Sequence, residues 1–312
     1  MTGSIFVPGL LAGRSALVTG GGSGIGFGIA TCLSRSGAAV TLASRNAERL
    51  EEAARRLAAA NARPGGEREA RILAVPTNVR DPESLRTAVE RTVEAFGSLD
   101  ILVNNAAGNF YCRSEDLSPN GWRAVVETDL YGTFFGCQAA FPVMREQAYG
   151  RIVSTSMTLH YRGWPGMAHA TAAKAGVDAL TRTLALEWAE HGITVNAVAP
   201  GPIPTEGVLR AFSSPPEGTP GLFGKAGRQP EEPAAAPTDS AGDSTAPAIP
   251  AGIASAAIPA GRLGRPEDIG NLVTYLVSPA GDWITGAILV VDGGESLARA
   301  PGPARRASRE TT

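Results

Sequence analysis

Short apolar runs alternate with longer stretches of mixed polarity from residue 15 to about residue 200, and that contrast sets the order of elements. The runs are Ala16–Thr19, Ala39–Ala43, Arg71–Val75, Ile101–Val103, Arg151–Val153, Ile193–Ala197 and, near the end, Ile288–Val291. Most are apolar throughout instead of alternating, the pattern of strands covered on both faces of a parallel sheet. The stretches between them predict helices with legible starts. Asp81-Pro82-Glu83, Ser118-Pro119 and Arg265-Pro266-Glu267-Asp268 each put a proline where the first helical turn needs no amide donor. This rhythm predicts an α/β chain with one doubly wound parallel sheet in three layers, binding its ligands at the carboxyl ends of the strands.

Two segments break the rhythm. Residues 213–258 hold eight prolines among Ala-, Gly- and Ser-rich runs, with no apolar period. They are expected to form a flexible insertion, either a tolerated surface loop or a substrate lid. Residues 299–312 are expected to be a disordered tail, which leaves 1–298 as a single domain.

Composition narrows the partners. The 312 residues carry 28 Lys+Arg against 30 Asp+Glu, and this near-balance argues against a nucleic-acid scaffold. No run of 18 apolar residues predicts a membrane span. The opening MTGSIFVPGLLAGR lacks the charged and apolar parts of a secretion signal, and the final Arg-Glu-Thr-Thr is no peroxisomal address. Cys32, Cys112 and Cys137 are scattered and lack metal-ligand spacing. They read as free thiols of a cytoplasmic protein that binds no metal.

The first strand runs directly into Thr19-Gly-Gly-Gly-Ser-Gly-Ile-Gly26. Gly20, Gly24 and Gly26 allow the tight Rossmann-type turn, and the backbone from Gly20 through Gly22, Ser23, Ile25 and Gly26 can approach a pyrophosphate at a helix N-terminus. The second strand ends in Ser44-Arg45. A carboxylate there would accept from a ribose 2′-OH; serine removes that charge and Arg45 supplies a planar fork suited to a 2′-phosphate. The expected cofactor is therefore NADPH.

The glycine turn, Asn104-Asn105-Ala106-Ala107-Gly108 after the fourth strand, Pro200-Gly201 after the sixth and Val291-Asp-Gly-Gly294 together resemble the short-chain dehydrogenase/reductase superfamily. The resemblance covers about residues 10–295 outside the insertion. Members usually carry a Tyr-xxx-Lys pair, a serine on the preceding strand and an asparagine on an earlier helix. Here Ala170 stands four residues before Lys174, Met157 follows Ser156 at the serine position, and Asp129 replaces the asparagine. These departures, with Asn105–Phe110, His169–Lys174, Pro200–Ile203 and Thr205-Glu-Gly207, resemble peroxisomal-type 2,4-dienoyl-CoA reductases, and next trans-2-enoyl-CoA reductases.

The resemblance implies an adenine site near Asn78 and Val79, and a nicotinamide site near Ile203, Thr205 and Lys174. It also implies a homotetramer or homodimer, formed through the helices near 119–147 and 167–190 and the last strand. Its substrate would be an acyl-CoA or another small thioester, with Asn109, Phe110, Ser156 and Met157 as candidate contacts. The residues themselves add that Asp129 heads a stripe of small side chains, Gly132, Thr133, Gly136 and Ala140, and so should point inward. A buried carboxylate needs a partner or takes a proton. Lys174, one of only two lysines in the chain, is that partner. Asp129, Lys174 and a water would then deliver a proton to carbon after hydride transfer. Two alternatives remain open at this point. One is a ketone, imine or enone reductase with Tyr161 as acid; the other is a silent NADP(H)-binding subunit.

Overall fold

The computed structural model describes residues 5–61, 70–211 and 258–298. Its seven strands are β1 (Ser15–Thr19), β2 (Ala39–Ser44), β3 (Ile72–Pro76), β4 (Ile101–Asn104), β5 (Gly150–Thr155), β6 (Ile193–Pro200) and β7 (Ile288–Val291). All pairings are parallel, in the order β3-β2-β1-β4-β5-β6-β7. Each expected strand is present. Two strands run clearly longer than expected: β5 spans Gly150–Thr155 instead of Arg151–Val153, and β6, expected to stop at Ala197, is paired with β7 as far as Pro200 opposite Val291. From β1 the chain builds outward through β2 and β3, then returns to place β4 on the other side of β1. The crevice above the ends of β1 and β4 is the switch point where open α/β sheets bind ligands.

Consecutive strand residues point to opposite faces, and both faces are apolar, which is why the runs lack alternation. Ala16, Val18, Val40, Leu42, Ile101 and Val103 join one core with Ile29 and Leu33 of α1 (Gly24–Arg35), Leu50 and Leu57 of α2 (Ala47–Asn61), and Val273 and Leu276. Leu17, Ala43, Leu102 and Ile152 join a second core with Ala88 of α3 (Pro82–Phe96), and with Ala140, Met144 and Leu184. The expected caps are in place. The Asp81 carboxylate accepts from the Glu83 amide at 3.0 Å, the Ser118 hydroxyl from the Gly121 amide at 3.1 Å, and Asp268 from the Arg265 amide at 2.7 Å.

The helix expected near 119–147 is two helices joined by a π-helical turn. Helix α4 (Pro119–Val126) passes through Glu127–Tyr131 into α5 (Gly132–Glu146). A π turn inserts a residue into the helical register, and such turns concentrate at functional sites; this one carries Asp129. The small residues after it permit close approach. A side chain at Gly132 would begin 2.9 Å from Val79, and one at Gly136 would collide with the side-chain Oδ1 of Asn104. Long helix α6 (Ala168–Trp188) and short α7 (Glu206–Ala211) complete the surroundings of the crevice, with α8 (Pro266–Val277) behind it.

The insertion expected at 213–258 lies outside the described residues apart from Ile258, which is buried. The tail expected at 299–312 lies wholly outside them. Among the described residues no helix is long and apolar enough to cross a membrane, and no cluster of His, Cys, Asp or Glu could hold a metal ion.

Candidate active site

Gly20 (φ +66°) and Gly24 (φ +55°) hold the turn after β1 in the left-handed region, where a side chain is strained. Gly26 is required by space: a Cβ there would lie 2.3 Å from the Gly20 carbonyl oxygen. Thr19 ties this turn to the loop after β4. Its hydroxyl accepts from the Asn105 and Ala106 amides at 3.0 and 3.1 Å, and the Asn105 side chain donates to the Thr19 carbonyl at 3.1 Å. Ser23, just ahead of α1, makes no side-chain cap bond. The amides of the first turn therefore remain available to an anion.

A cavity of about 390 Å³ opens from this turn. One end is lined by Ser44, Arg45, Asn78 and Val79, as expected, and by Thr77 and Arg80, which were not. Gly20, Ser23, Gly24, Ile25, Asn105, Ala106, Ala107, Gly108, Asn109 and Thr205 line the rest. Gly22 and Gly26 stand behind this wall. A second lobe, of about 160 Å³, shares Ile25, Asn105, Ala107 and Asn109 with the first. It adds Lys174, Pro200, Gly201 and Ile203, together with Ser156, Met157, Thr158, Leu159 and Glu295. The residues expected to hold a dinucleotide thus form two connected spaces. Their free helix-terminal amides, close backbone and distal arginines fit its phosphates.

Lys174 and Asp129 meet at the inner end of the second lobe. The Lys174 Nζ donates to the Thr155 carbonyl at 2.7 Å and stands 3.6 Å from Asp129 Oδ2, an ion-pair distance too long for a hydrogen bond. Asp129 is fully buried, with Oδ1 accepting from the Gly108 amide at 2.8 Å and Oδ2 without a hydrogen-bond partner. Burial pushes its carboxyl above the usual carboxylate range; the nearby ammonium and the Gly108 amide oppose that rise without cancelling it. Asp129 sits behind Gly108 and Lys174 and lines neither lobe itself. Ala170, at the position of the missing phenol, is fully buried in an apolar cluster with Val125, Leu159 and Met167, against which Met157 packs.

Three candidate contacts are placed differently from expectation. Ser156 lines the lobe, but its hydroxyl turns away to donate to Asp178 Oδ1 at 2.5 Å. Phe110 packs edge-on against buried His169, with ring centres 4.6 Å apart, and does not line the lobe. Tyr161 ends a one-turn helix (Leu159–Tyr161), 48% exposed against the His160 ring and off the wall of either lobe. Burial also raises its phenol pKa, which makes it a weaker acid.

Residues 14–214 match the family model described as short chain dehydrogenase, and residues 233–296 match one described as Enoyl-(Acyl carrier protein) reductase. The chain is 39% identical over 297 residues to a peroxisomal 2,4-dienoyl-CoA reductase, (3E)-enoyl-CoA-producing, of Danio rerio. That match covers 95% of this chain and 86% of the relative. Identity is 36% to a probable 2,4-dienoyl-CoA reductase, (2E)-enoyl-CoA-producing, of Bacillus subtilis (strain 168), covering 91% of this chain and 97% of the relative. Among solved structures, a 3-ketoacyl-(acyl-carrier-protein) reductase of Brucella melitensis complexed with NADH is 27% identical, with a TM-score of 0.72, over 92% of this chain and 99% of that one. The expected cytoplasmic location is overturned by the Danio rerio relative, which is peroxisomal by name. Unpaired thiols report reducing surroundings and do not say which compartment provides them.

Proposed function

This chain belongs to the short chain dehydrogenase family of oxidoreductases, and from that premise we propose that it uses NADPH to reduce a conjugated 2,4-dienoyl- or 2-enoyl-thioester. The observation that carries this reading is the buried Asp129–Lys174 pair, with one carboxylate oxygen open, beside a lobe where alanine replaces the phenol. Reduction of a ketone ends in an alkoxide that needs an acid at oxygen. Reduction of a conjugated C=C bond instead leaves an enolate, whose proton goes to carbon.

The Gly20–Ile25 turn would hold the pyrophosphate, Arg45 and Arg80 the phosphate-bearing ribose, and Lys174 and Ile203 the nicotinamide end. Bound there, the cofactor supplies a hydride to the substrate carbon remote from the thioester. Charge then spreads to the thioester oxygen, where the Lys174 ammonium and the Asn109 amide stabilise it. Asp129, whose carboxyl burial pushes upward, replaces the proton that Lys174 or an ordered water passes to carbon. Met157 and Leu159 offer the acyl chain an apolar wall.

Purified protein is expected to oxidise NADPH with hexadienoyl-CoA, more weakly with crotonyl-CoA, and not with simple ketones. Ketone turnover without dienoyl turnover would reject the reading. NADPH is expected to outperform NADH, and Arg45→Ala should cut that preference by about 10- to 100-fold, the worth of a charged phosphate contact. We also infer self-association, supported by the exposed aromatics Trp122, Tyr131 and Phe134 along α4, the π turn and α5, and by exposed Val290 on edge strand β7. Light scattering should return a dimer or tetramer; a monomeric mass at micromolar concentration would refute it.

A further inference from the structure

We propose that Asp178 is a positioning residue for the substrate lobe: its buried carboxylate grips Ser156 and His160, so that the turn between them presents Met157 and Leu159 to the acyl chain. The proposal rests on reading that lobe as the thioester site.

Lys174 and Asp178 lie one turn apart on α6, so their side chains project from the same face. Both are buried, and both reach the segment leaving β5. Lys174 Nζ holds the Thr155 carbonyl at 2.7 Å. Asp178 Oδ1 accepts from the Ser156 hydroxyl at 2.5 Å, and its Oδ2 pairs with His160 Nε2 at 2.8 Å. Charged groups on one helix face thus fix three positions within six residues.

The two aspartates near this lobe differ in how far they are satisfied. Each oxygen of Asp178 has a partner, whereas Asp129 keeps Oδ2 open. Asp178 is buried, holds a partner on each oxygen and does not line the lobe, so its effect on substrate is through geometry. Ser156 has one hydroxyl proton, and Asp178 takes it, so position 156 donates nothing into the lobe. The wall that remains from Met157 to Leu159 suits a hydrocarbon. His160 Nδ1 is covered and unpartnered, so Asp178 is the polar anchor of that imidazole. Without it, the turn bearing Thr158 and Leu159 loses its fixed end.

The test compares Asp178→Ala, Asp178→Asn and Ser156→Ala in the full chain. Asp178→Ala should raise KM for hexadienoyl-CoA about tenfold or more, the scale of a lost buried charged hydrogen bond, while kcat and the Kd of NADPH stay within about threefold. Asp178→Asn should restore most of KM, because its carbonyl can accept from Ser156 and its amide can donate to His160. Amide hydrogen exchange over 156–161 should rise in the alanine variant and return to normal in the asparagine variant. Unchanged KM and exchange in Asp178→Ala would overturn the proposal, as would a parallel loss of NADPH binding. If Asp178→Ala does not fold, Ser156→Ala must raise KM in the same direction, and an unchanged value overturns the proposal. Wild-type protein that turns over no thioester defeats the functional reading instead, and exchange over 156–161 then decides the role of Asp178 alone.

Discussion

Asp129→Asn is expected to bind NADPH like the wild type yet lose kcat for dienoyl-thioester reduction by about 10²–10⁴, the range for removing a positioned proton donor. The variant isolates the proton. Asparagine keeps the size of the side chain, and its carbonyl can still accept from the Gly108 amide, which holds Oδ1 at 2.8 Å. It has no proton to pass on and no charge to set against Lys174. The accompanying pH signature separates chemistry from packing. Burial raises the Asp129 carboxyl, so the folded protein retains this proton at pH values where an ordinary carboxyl has lost it. Wild-type kcat should therefore be flat on the acid side and fall as pH rises through the raised titration of the Asp129 carboxyl. That alkaline limb should vanish in the asparagine variant. Stability follows the same sign. A folded pKa above the unfolded one contributes stability that is complete below the unfolded value and lost as pH rises through the folded one. The thermal midpoint of Asp129→Asn should thus gain on the wild type as pH increases. Wild-type kcat in the variant would end the assignment.

What the sequence discloses here depends on how local the cause is. The strands were legible because burial on both faces leaves them apolar throughout, and the caps at Asp81 and Ser118 because capping needs only four consecutive residues. The sixth apolar run reads as ending at Ala197, yet β6 continues to Pro200 because its pairing with Val291 is set by β7, nearly ninety residues on. The π turn at Glu127–Tyr131 leaves no trace in the periodicity: Asp129, Gly132, Thr133, Gly136 and Ala140 satisfy the stripe of an ordinary helix equally well. Asp129 was legible as an inward acid, whereas its open oxygen depends on where Gly108 and Lys174 stop. Asp178 was missed because an acid on a long helix reads as a solvated face. Missing it also misplaced Ser156, whose hydroxyl looked available to substrate. Tyr161 is nearby in sequence but is turned outward by a loop whose anchor lies on another element. The compartment was misread for a different reason, since thiol chemistry describes redox conditions and carries no address.

Lys174→Met is expected to cost more than the aspartate variant, because the amine has several partners. Methionine approximates the apolar stem but removes the donor to the Thr155 carbonyl and the charge 3.6 Å from Asp129. Loss of charge stabilisation at a developing oxyanion alone is worth about 10²–10³ in kcat. With the proton route also cut, kcat/KM should fall by about 10³ or more, and the Kd of NADPH should rise. Arginine should not rescue, since its rigid fork cannot replace a compact ammonium in a space closed on both sides. The stability cost should depend on pH. Breaking a buried ion pair costs about 3–5 kcal/mol when the abandoned charge has no escape, but Asp129 escapes by taking a proton. The gap in thermal midpoint between wild type and Lys174→Met should therefore narrow on acidification and widen at alkaline pH. The double variant Asp129→Asn/Lys174→Met completes the argument. Groups that serve one proton delivery are strongly non-additive, so the double variant should be little worse than Lys174→Met alone. If the two losses multiply instead, the carboxyl and the amine act independently, and the shared delivery of a proton to carbon is wrong.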